Sequence, residues 1–489
     1  MKITVDEAAP GSGKTHNALS NMISFPARYL FVTERKESIH SITRQCRELG
    51  VQRHRHVRVW PVDADNLPTS RNSVREEVEA LPNHFRDEPH VIAIITHAAL
   101  LMSDLSDFTG WHVIIDEVPN VLSIQEVQTL KDTAFFADHY TLEKLDGYDG
   151  WSVVGLTARG RALTSRHLYQ DDSHRHLRSF HSRVLDSADH DHRRVVCNLT
   201  DWGQMGQAVE TTAGKLAPVW IWGSLFTLSA LAAFETVTIL ANRFRESLSY
   251  KLLVASAGDL DIRWTLRASS RPIAWQRRSV RVVYFSERRA SRYHLLSETG
   301  REHLTRIDAY LAAQMGTASI WSTNGAFAGS FTSLPSANRQ PPKQAGSNEF
   351  VACNEAAIIY SAKASPNVRG LLATHGVSEA DWIATNENEI VLQFLTRTSL
   401  RNPASAEPVT LYVYDRAQAD YVAERIGALP HADLSVEHVD LGVETAQRPR
   451  GRKPRILSPD EIEAKAKARR DYMRDYQRAQ RAAAKGGAA

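Results

Sequence analysis

The stretch Ala8-Ala9-Pro10-Gly11-Ser12-Gly13-Lys14-Thr15 constrains this chain more than any other. It follows the short β-branched run Ile3 to Val5 and precedes Thr15 to Ile23, where apolar residues recur at helical spacing. A strand must therefore give way to a helix through a turn of small residues. Small residues at Gly11 and Gly13 let successive backbone amides close around the oxygens of an anion. Lys14 adds a positive charge, and Thr15 a hydroxyl able to ligate Mg²⁺. A helix N-terminus, with its partial positive charge, strengthens the attraction. This is the pattern of a phosphate-binding loop, with Ala8 where the first glycine usually stands. Gly11, Ser12, Gly13, Lys14 and Thr15 are the expected nucleotide-binding residues.

The segments that follow alternate between apolar runs and polar helical stretches. Tyr29 to Val32, Val91 to Ile95, His112 to Ile115 and Val153 to Leu156 read as strands apolar on both faces. A parallel sheet covered by helices on each side needs such strands, so the fold class is α/β. Val113-Ile114-Ile115 runs into Asp116-Glu117, and ligands of an open parallel sheet gather at strand C-terminal ends. Asp116 is expected to share Mg²⁺ with Thr15, and Glu117 to take a proton from an attacking water. Ser173 to Arg194, dense in His, Arg and Asp, reads as a boundary with no face to bury. A second α/β region is traced through Thr236 to Leu240, Val280 to Tyr284, Ser319 to Trp321, Ala357 to Tyr360 and Val409 to Val413, with a surface loop over 333–347.

The chain has 489 residues, 43% of them hydrophobic and 24% charged, which excludes a disordered or fibrous protein and calls for more than one domain. Its three cysteines, Cys46, Cys197 and Cys353, are too widely spaced for a disulfide framework or a thiolate zinc site, so a reducing, cytoplasmic location is expected. The opening Met-Lys-Ile-Thr-Val-Asp-Glu does not resemble a secretory signal. Leu216 to Phe234 carries no charge but contains Pro218 and Gly223. It reads as a buried strand over 219–222 followed by a helix over 225–234, not a membrane span. The 20 histidines include His54/His56, His174/His176 and His190/His192, which lie among arginines and are expected to be solvated; no metal beyond Mg²⁺ is expected.

With these residues in view, the chain resembles superfamily 2 helicases of the DEAD/DEAH-box-like kind, including phage and plasmid relatives. Lys14 and Thr15 match motif I, Val32-Thr33-Glu34-Arg35 looks like motif Ia, and Ile95-Thr96-His97-Ala98-Ala99-Leu100 like motif Ib. Asp116-Glu117-Val118-Pro119 resembles the DExx box, and Gly155-Leu156-Thr157-Ala158-Arg159 the Ser/Thr-Ala-Thr motif. Val237 to Leu240 stands at the place of motif IV and Gly346-Ser347-Asn348 at that of motif V. Gln393 to Arg401 resembles motif VI, with Gln393, Arg397 and Arg401 spaced to share one helix face. The family has its last arginine seven residues after the glutamine, where this chain has Leu400, so either Arg397 or Arg401 can be the arginine finger. The family's upstream glutamine motif, which recognises adenine, has no counterpart ahead of the loop.

The resemblance implies two RecA-like P-loop domains with parallel sheets: 1–185 with motifs I to III, and 186–445 with motifs IV to VI. A basic tail over 446–489 follows. It further implies ATP as substrate with Mg²⁺, Thr157 as a coupling residue, and Arg35, Thr96 and His97 on the nucleic acid. From Arg448 onward there are thirteen Lys or Arg against five Asp or Glu, in a chain whose formal charge is only +3. Arg450-Gly451-Arg452 resembles an AT-hook and alternatively reads as a generic basic linker; a helix is expected from Pro459 to about Lys485. The expected partner is nucleic acid, DNA ahead of RNA, with replication or recombination proteins beyond it and no membrane. An ATP-dependent helicase or translocase is the leading expectation. A packaging-type motor that does not unwind, and a DNA-binding regulator with a vestigial ATPase, are the alternatives.

Overall fold

The computed structural model describes the chain apart from residues 9–11, 68–72, 128–132, 190–193, 207, 211–215, 219, 268–273, 344–348 and 444–454, and, beyond 456, all but 464, 467, 471 and 474. Gly11, Gly346 to Asn348, Arg450, Arg452 and most of the expected C-terminal helix lie outside the described residues. Among the described residues no helix is long and apolar enough to cross a membrane.

The chain divides into two compact units. The larger contains two all-parallel sheets. In chain order the strands of the first are β1 (Lys2–Asp6), β2 (Arg28–Thr33), β3 (Arg58–Pro61), β4 (Val91–Thr96), β5 (Trp111–Asp116), β6 (Thr236–Leu240) and β7 (Arg263–Arg267). They lie side by side in the order β7-β1-β6-β5-β2-β4-β3. Helices α1 (Lys14–Ser24) and α2 (Lys36–Gln52) cover one face. Leu19, Met22, Ile39 and Ile42 pack there on Phe31, Ile92 and Ile114. The strands of the second sheet are β8 (Arg278–Ser286), β9 (Ser319–Thr323), β10 (Glu355–Ile359), β11 (Val409–Asp415) and β12 (Ala432–His438), in the order β9-β10-β11-β8-β12. Helices α4 (Glu389–Leu395) and α5 (Arg416–Gly427) contribute Phe394, Leu395 and Val422 to a core on one side of it, and Leu304, Ile307 and Leu311 fill the other. Helix α3 (Leu248–Ala255) follows β6. The α/β class with two parallel sheets is therefore present, and continuous apolar strands are covered by helices as a parallel sheet requires.

Three expectations about organisation need correction. Thr236–Leu240 belongs to the first sheet, where β6 lies between β1 and β5 with Leu240 opposite Asp116. Ser152–Leu156 belongs to no parallel sheet: it pairs antiparallel with Tyr140–Lys144 and with Val195–Cys197. Arg178–Asp189 is a helix inside the proposed boundary and buries Phe180, His181 and Val184. The spacing of these three with Leu177 is helical, but dense surrounding charge hides it.

The second unit is built from 122–225 and the segment Ser365–Thr374. Its five-stranded antiparallel sheet packs around Phe136, Tyr140, Phe180, Trp202, Trp220 and Trp222. His181 is structural there, bonded at 2.9 Å to the Tyr140 hydroxyl and at 2.7 Å to the Leu163 carbonyl oxygen. The uncharged stretch near 216–234 supplies the buried strand Ile221–Leu225 but no helix; a 3₁₀ turn spans Leu228–Leu231. At the stem of this insertion, within the larger unit, the Phe226 amide donates to the Val121 carbonyl oxygen at 2.8 Å.

Candidate nucleotide site

Gly13 caps α1 at φ 86°, a left-handed conformation open to glycine at little cost. That turn puts Lys14 and Thr15 at the start of the helix, with their side chains at the C-terminal edge of the sheet. The Thr15 hydroxyl lies 3.0 and 3.1 Å from the two carboxylate oxygens of Asp116, joining residues 101 apart in sequence. Lys14 Nζ donates to the Ala8 carbonyl oxygen at 2.5 Å. Burial pushes the Lys14 ammonium below its ordinary range, against the pull of Glu117, Asp116 and Asp6. Burial also raises the Asp116 carboxyl to about 7; the neighbouring Glu117 charge adds to the rise, while Thr15 and Lys14 oppose it. A carboxylate so placed calls for a cation. Ser12 Oγ is buried with no hydrogen-bond partner among the described residues. An orphaned hydroxyl in the loop, a lysine turned back on the Ala8 carbonyl oxygen and a Thr–Asp oxygen cluster fit a phosphate with Mg²⁺.

Glu117 follows directly at φ 68°. A non-glycine residue there carries about 1–3 kcal/mol of strain, and such strain collects at functional sites. Its amide is held by the Leu240 carbonyl oxygen at 3.0 Å. Arg243, just beyond β6, also has positive φ, at 52°. Of the three non-glycine residues with positive φ among those described, two therefore flank the same strand ends.

A cavity of about 320 Å³ opens over these residues and is walled from the second sheet by Gln393, Arg397 and Arg401. The single helix face expected for these three does not form. Helix α4 ends at Leu395, and Arg401 closes a 3₁₀ turn over Ser399–Arg401. Thr396 and Thr398 donate their hydroxyls to the Gln393 and Leu395 carbonyl oxygens at 3.3 and 2.9 Å, a local alternative to continuing the helix. The three side chains reach the cavity all the same. Arg397 is buried, which lowers its pKa, and burial together with the neighbouring Arg397 charge brings Arg401 to about 10. Arg401 Nε donates to the Thr396 carbonyl oxygen at 2.9 Å.

The residues expected to touch nucleic acid, and the expected coupling residue Thr157, have the following settings. Thr96 caps the helix His97–Met102 by accepting the Ala99 amide at 3.2 Å. His97 is buried and bonded through Nε2 to the Asp116 carbonyl oxygen at 2.9 Å. A carbonyl only accepts, so Nε2 carries the proton, and burial lowers the His97 pKa to about 4. Arg35 is the N-cap residue of α2, beside Glu34. Thr157 lies in the second unit, where its hydroxyl accepts the Gly160 amide at 3.1 Å and donates to the Asp138 carbonyl oxygen at 2.6 Å.

Two site residues escaped the sequence reading. Asn242 follows β6 and lines the cavity beside Glu117; only the strand order reveals it. Glu389 lies one helical turn before Gln393 and lines the cavity too, a spacing visible in the sequence.

No protein-family model matches the chain, and no curated protein matches it. Among solved structures, an XPD helicase is similar at 10% identity and a TM-score of 0.46, over 90% of this chain and 96% of its own. S. tokodaii Xpd4 is similar at 11% identity and a TM-score of 0.44, over 89% and 96%. The helicase MrfA, solved with DNA and AMPPNP, is similar at 10% identity and a TM-score of 0.31, over 89% and 50%.

Proposed function

We propose that this protein is an ATP-hydrolysing motor, a helicase or translocase that couples hydrolysis to movement along DNA. The observation that carries the proposal is the Thr15–Asp116 pairing beside a strained Glu117, in a cavity whose far wall holds Arg397 and Arg401. Gly11, Ser12, Gly13 and Lys14 would bind the phosphates. Thr15 and Asp116 would hold Mg²⁺, which when bound offsets the negative charge of the triphosphate. Glu117 takes a proton from water as the water oxygen bonds to the terminal phosphorus and the bond from phosphorus to the bridging oxygen breaks. Gln393, beside Glu117, orients that water.

Charge that develops on the transferring phosphoryl group is met by the arginines. The Arg401 charge is felt at Lys14, whereas the Arg397 charge is felt at Glu34. Both arginines line the cavity and feel the Glu117 charge, and we take Arg401, whose charge also reaches the phosphate-binding Lys14, as the finger and Arg397 as its neighbour. The first sheet grips the nucleotide and the second supplies the finger, so release of the terminal phosphate removes what links them. Asn242, which follows β6 and lines the cavity with Glu117, is the candidate for the coupling role expected of Thr157. Arg35, Arg450 and Arg452 are candidates for phosphate contacts along the DNA strand.

ATP hydrolysis measured without nucleic acid, with single-stranded DNA, with duplex DNA and with RNA tests the reading. Stimulation by DNA, lost in Lys14→Ala and Glu117→Gln, is expected. A fully active Glu117→Gln protein would overturn the proposal. Strand displacement on tailed duplexes separates a helicase from a motor that moves without unwinding.

A further inference from the structure

Helix α4 places Glu389 and Gln393 on one face, four residues apart. Gln393 Nε2 donates to Glu389 Oε1 at 3.2 Å, and the Tyr421 hydroxyl, from α5, donates to Glu389 Oε2 at 3.4 Å. Each carboxylate oxygen thus has its own donor, one from α4 itself and one from α5. Glu389 and Gln393 line the nucleotide cavity and a neighbouring one of about 400 Å³, and Glu117 is common to both. A primary amide donates from its nitrogen and accepts at its oxygen, so the group bound to its nitrogen decides which end is left for the cavity.

We infer that Glu389 is a positioning residue: by accepting the Gln393 N–H it fixes the rotation of that amide and presents Oε1, an acceptor, to the water beside Glu117. The inference rests on the hydrolytic reading of the cavity and extends it to a residue that acts through Gln393. An unanchored Gln393 amide could turn over and offer N–H groups, which cannot accept a hydrogen bond from water. The Glu389 carboxylate is held by two donors on structured helices, so the amide has one preferred setting before nucleotide arrives.

The same pair makes the setting sensitive to pH. Burial pushes the Glu389 carboxyl up to about 7. The Gln393 and Tyr421 hydrogen bonds and the Arg243 charge oppose the rise, and the Glu117 charge adds to it. Glu34, Glu246, Lys343 and Arg425 line the second cavity around the pair. A protonated Glu389 can donate to Oε1 and reverse the amide. Turnover therefore rises as pH increases through this region and falls as pH drops.

Two measurements on the full-length protein decide. In ¹⁵N-labelled protein, the Gln393 side-chain amide signal, identified by its loss in Gln393→Asn, is expected to move with pH near neutrality and to stop moving in Glu389→Gln. In steady-state ATP hydrolysis, Glu389→Ala is expected to lower kcat about tenfold, the worth of one hydrogen bond, with KM for ATP within about twofold. The double variant Glu389→Ala/Gln393→Ala should be no slower than Gln393→Ala. An amide signal unmoved by pH in the unaltered protein, or losses that multiply in the double variant, would overturn the positioning role. If the unaltered protein hydrolyses no ATP, the hydrolytic reading fails, and the amide titration still decides whether Glu389 sets Gln393.

Discussion

The two walls of the nucleotide cavity are built on different principles. The first-sheet wall stands at the ends of adjacent parallel strands: Asp116 closes β5, Glu117 follows it and Asn242 lies just past β6, and the backbone strain at Glu117 is held in place by the Leu240 carbonyl oxygen. The second-sheet wall is made of a helix that stops: Gln393 is on α4, Arg397 lies past its end, and Arg401 closes a 3₁₀ turn. Strand ends in a sheet are fixed by register and admit little adjustment. The end of α4 is buried and closed by Thr396 and Thr398 hydroxyls, and Arg278 holds the Ser399 and Asn402 carbonyl oxygens at 2.7 Å each. One wall is therefore set by the register of a sheet and the other by side chains that bond to backbone.

The strongest way to break this contrast is Arg401→Ala. Loss of a finger is expected to lower kcat by about 10³-fold or more with little change in KM for ATP, and Arg397→Ala should cost less. Steady-state hydrolysis rates check both, and the reverse ranking would make Arg397 the finger.

The rigid wall stands on a neutral imidazole. His97 has an ordinary pKa of 6.5 when unfolded and about 4 when folded. Between those values the unfolded chain binds a proton at His97 that the folded chain does not, so His97 takes about 3 kcal/mol from stability as pH drops from about 6.5 to about 4, beside the shares of His303 and His375, which are lowered alike. Denaturant melts followed by tryptophan fluorescence should show that slope flattened in His97→Asn; an unchanged slope would remove His97 from the account.

Asn242 and Thr157 separate the structural assignment from the sequence resemblance. Asn242→Ala is expected to reduce DNA-stimulated hydrolysis about tenfold. Thr157→Ala should leave that rate within about twofold and cost the second unit about 1 kcal/mol through the lost helix cap. Equal effects on hydrolysis would restore a role for Thr157.

The loop, the acid pair and most strands of both parallel sheets were legible because each is a local pattern: small residues before Lys-Thr, or an apolar run ending in Asp-Glu. Partnership between strands was not. Val153 to Leu156 and Thr236 to Leu240 are both short apolar runs, and nothing local says that the first pairs antiparallel in an aromatic unit while the second slots between β1 and β5. Side-chain periodicity reports which faces are buried, whereas order in a sheet is decided by packing between distant segments. The end of α4 was hidden for another reason: threonine hydroxyls terminate a helix whose polar residues kept the right spacing.

The hydrogen bond between Phe226 and Val121 has a use in protein engineering. Chain ends held this near each other can be joined by a tight turn, so residues 122–225 form a module that could be cut out or exchanged without moving β5 or β6. The helix Pro366–Thr374 would have to be redesigned in the same step, because Leu371 rests on Gly223 and would otherwise be stripped of its cover. A grafted module of different shape would then hang from the strand that ends in Asp116.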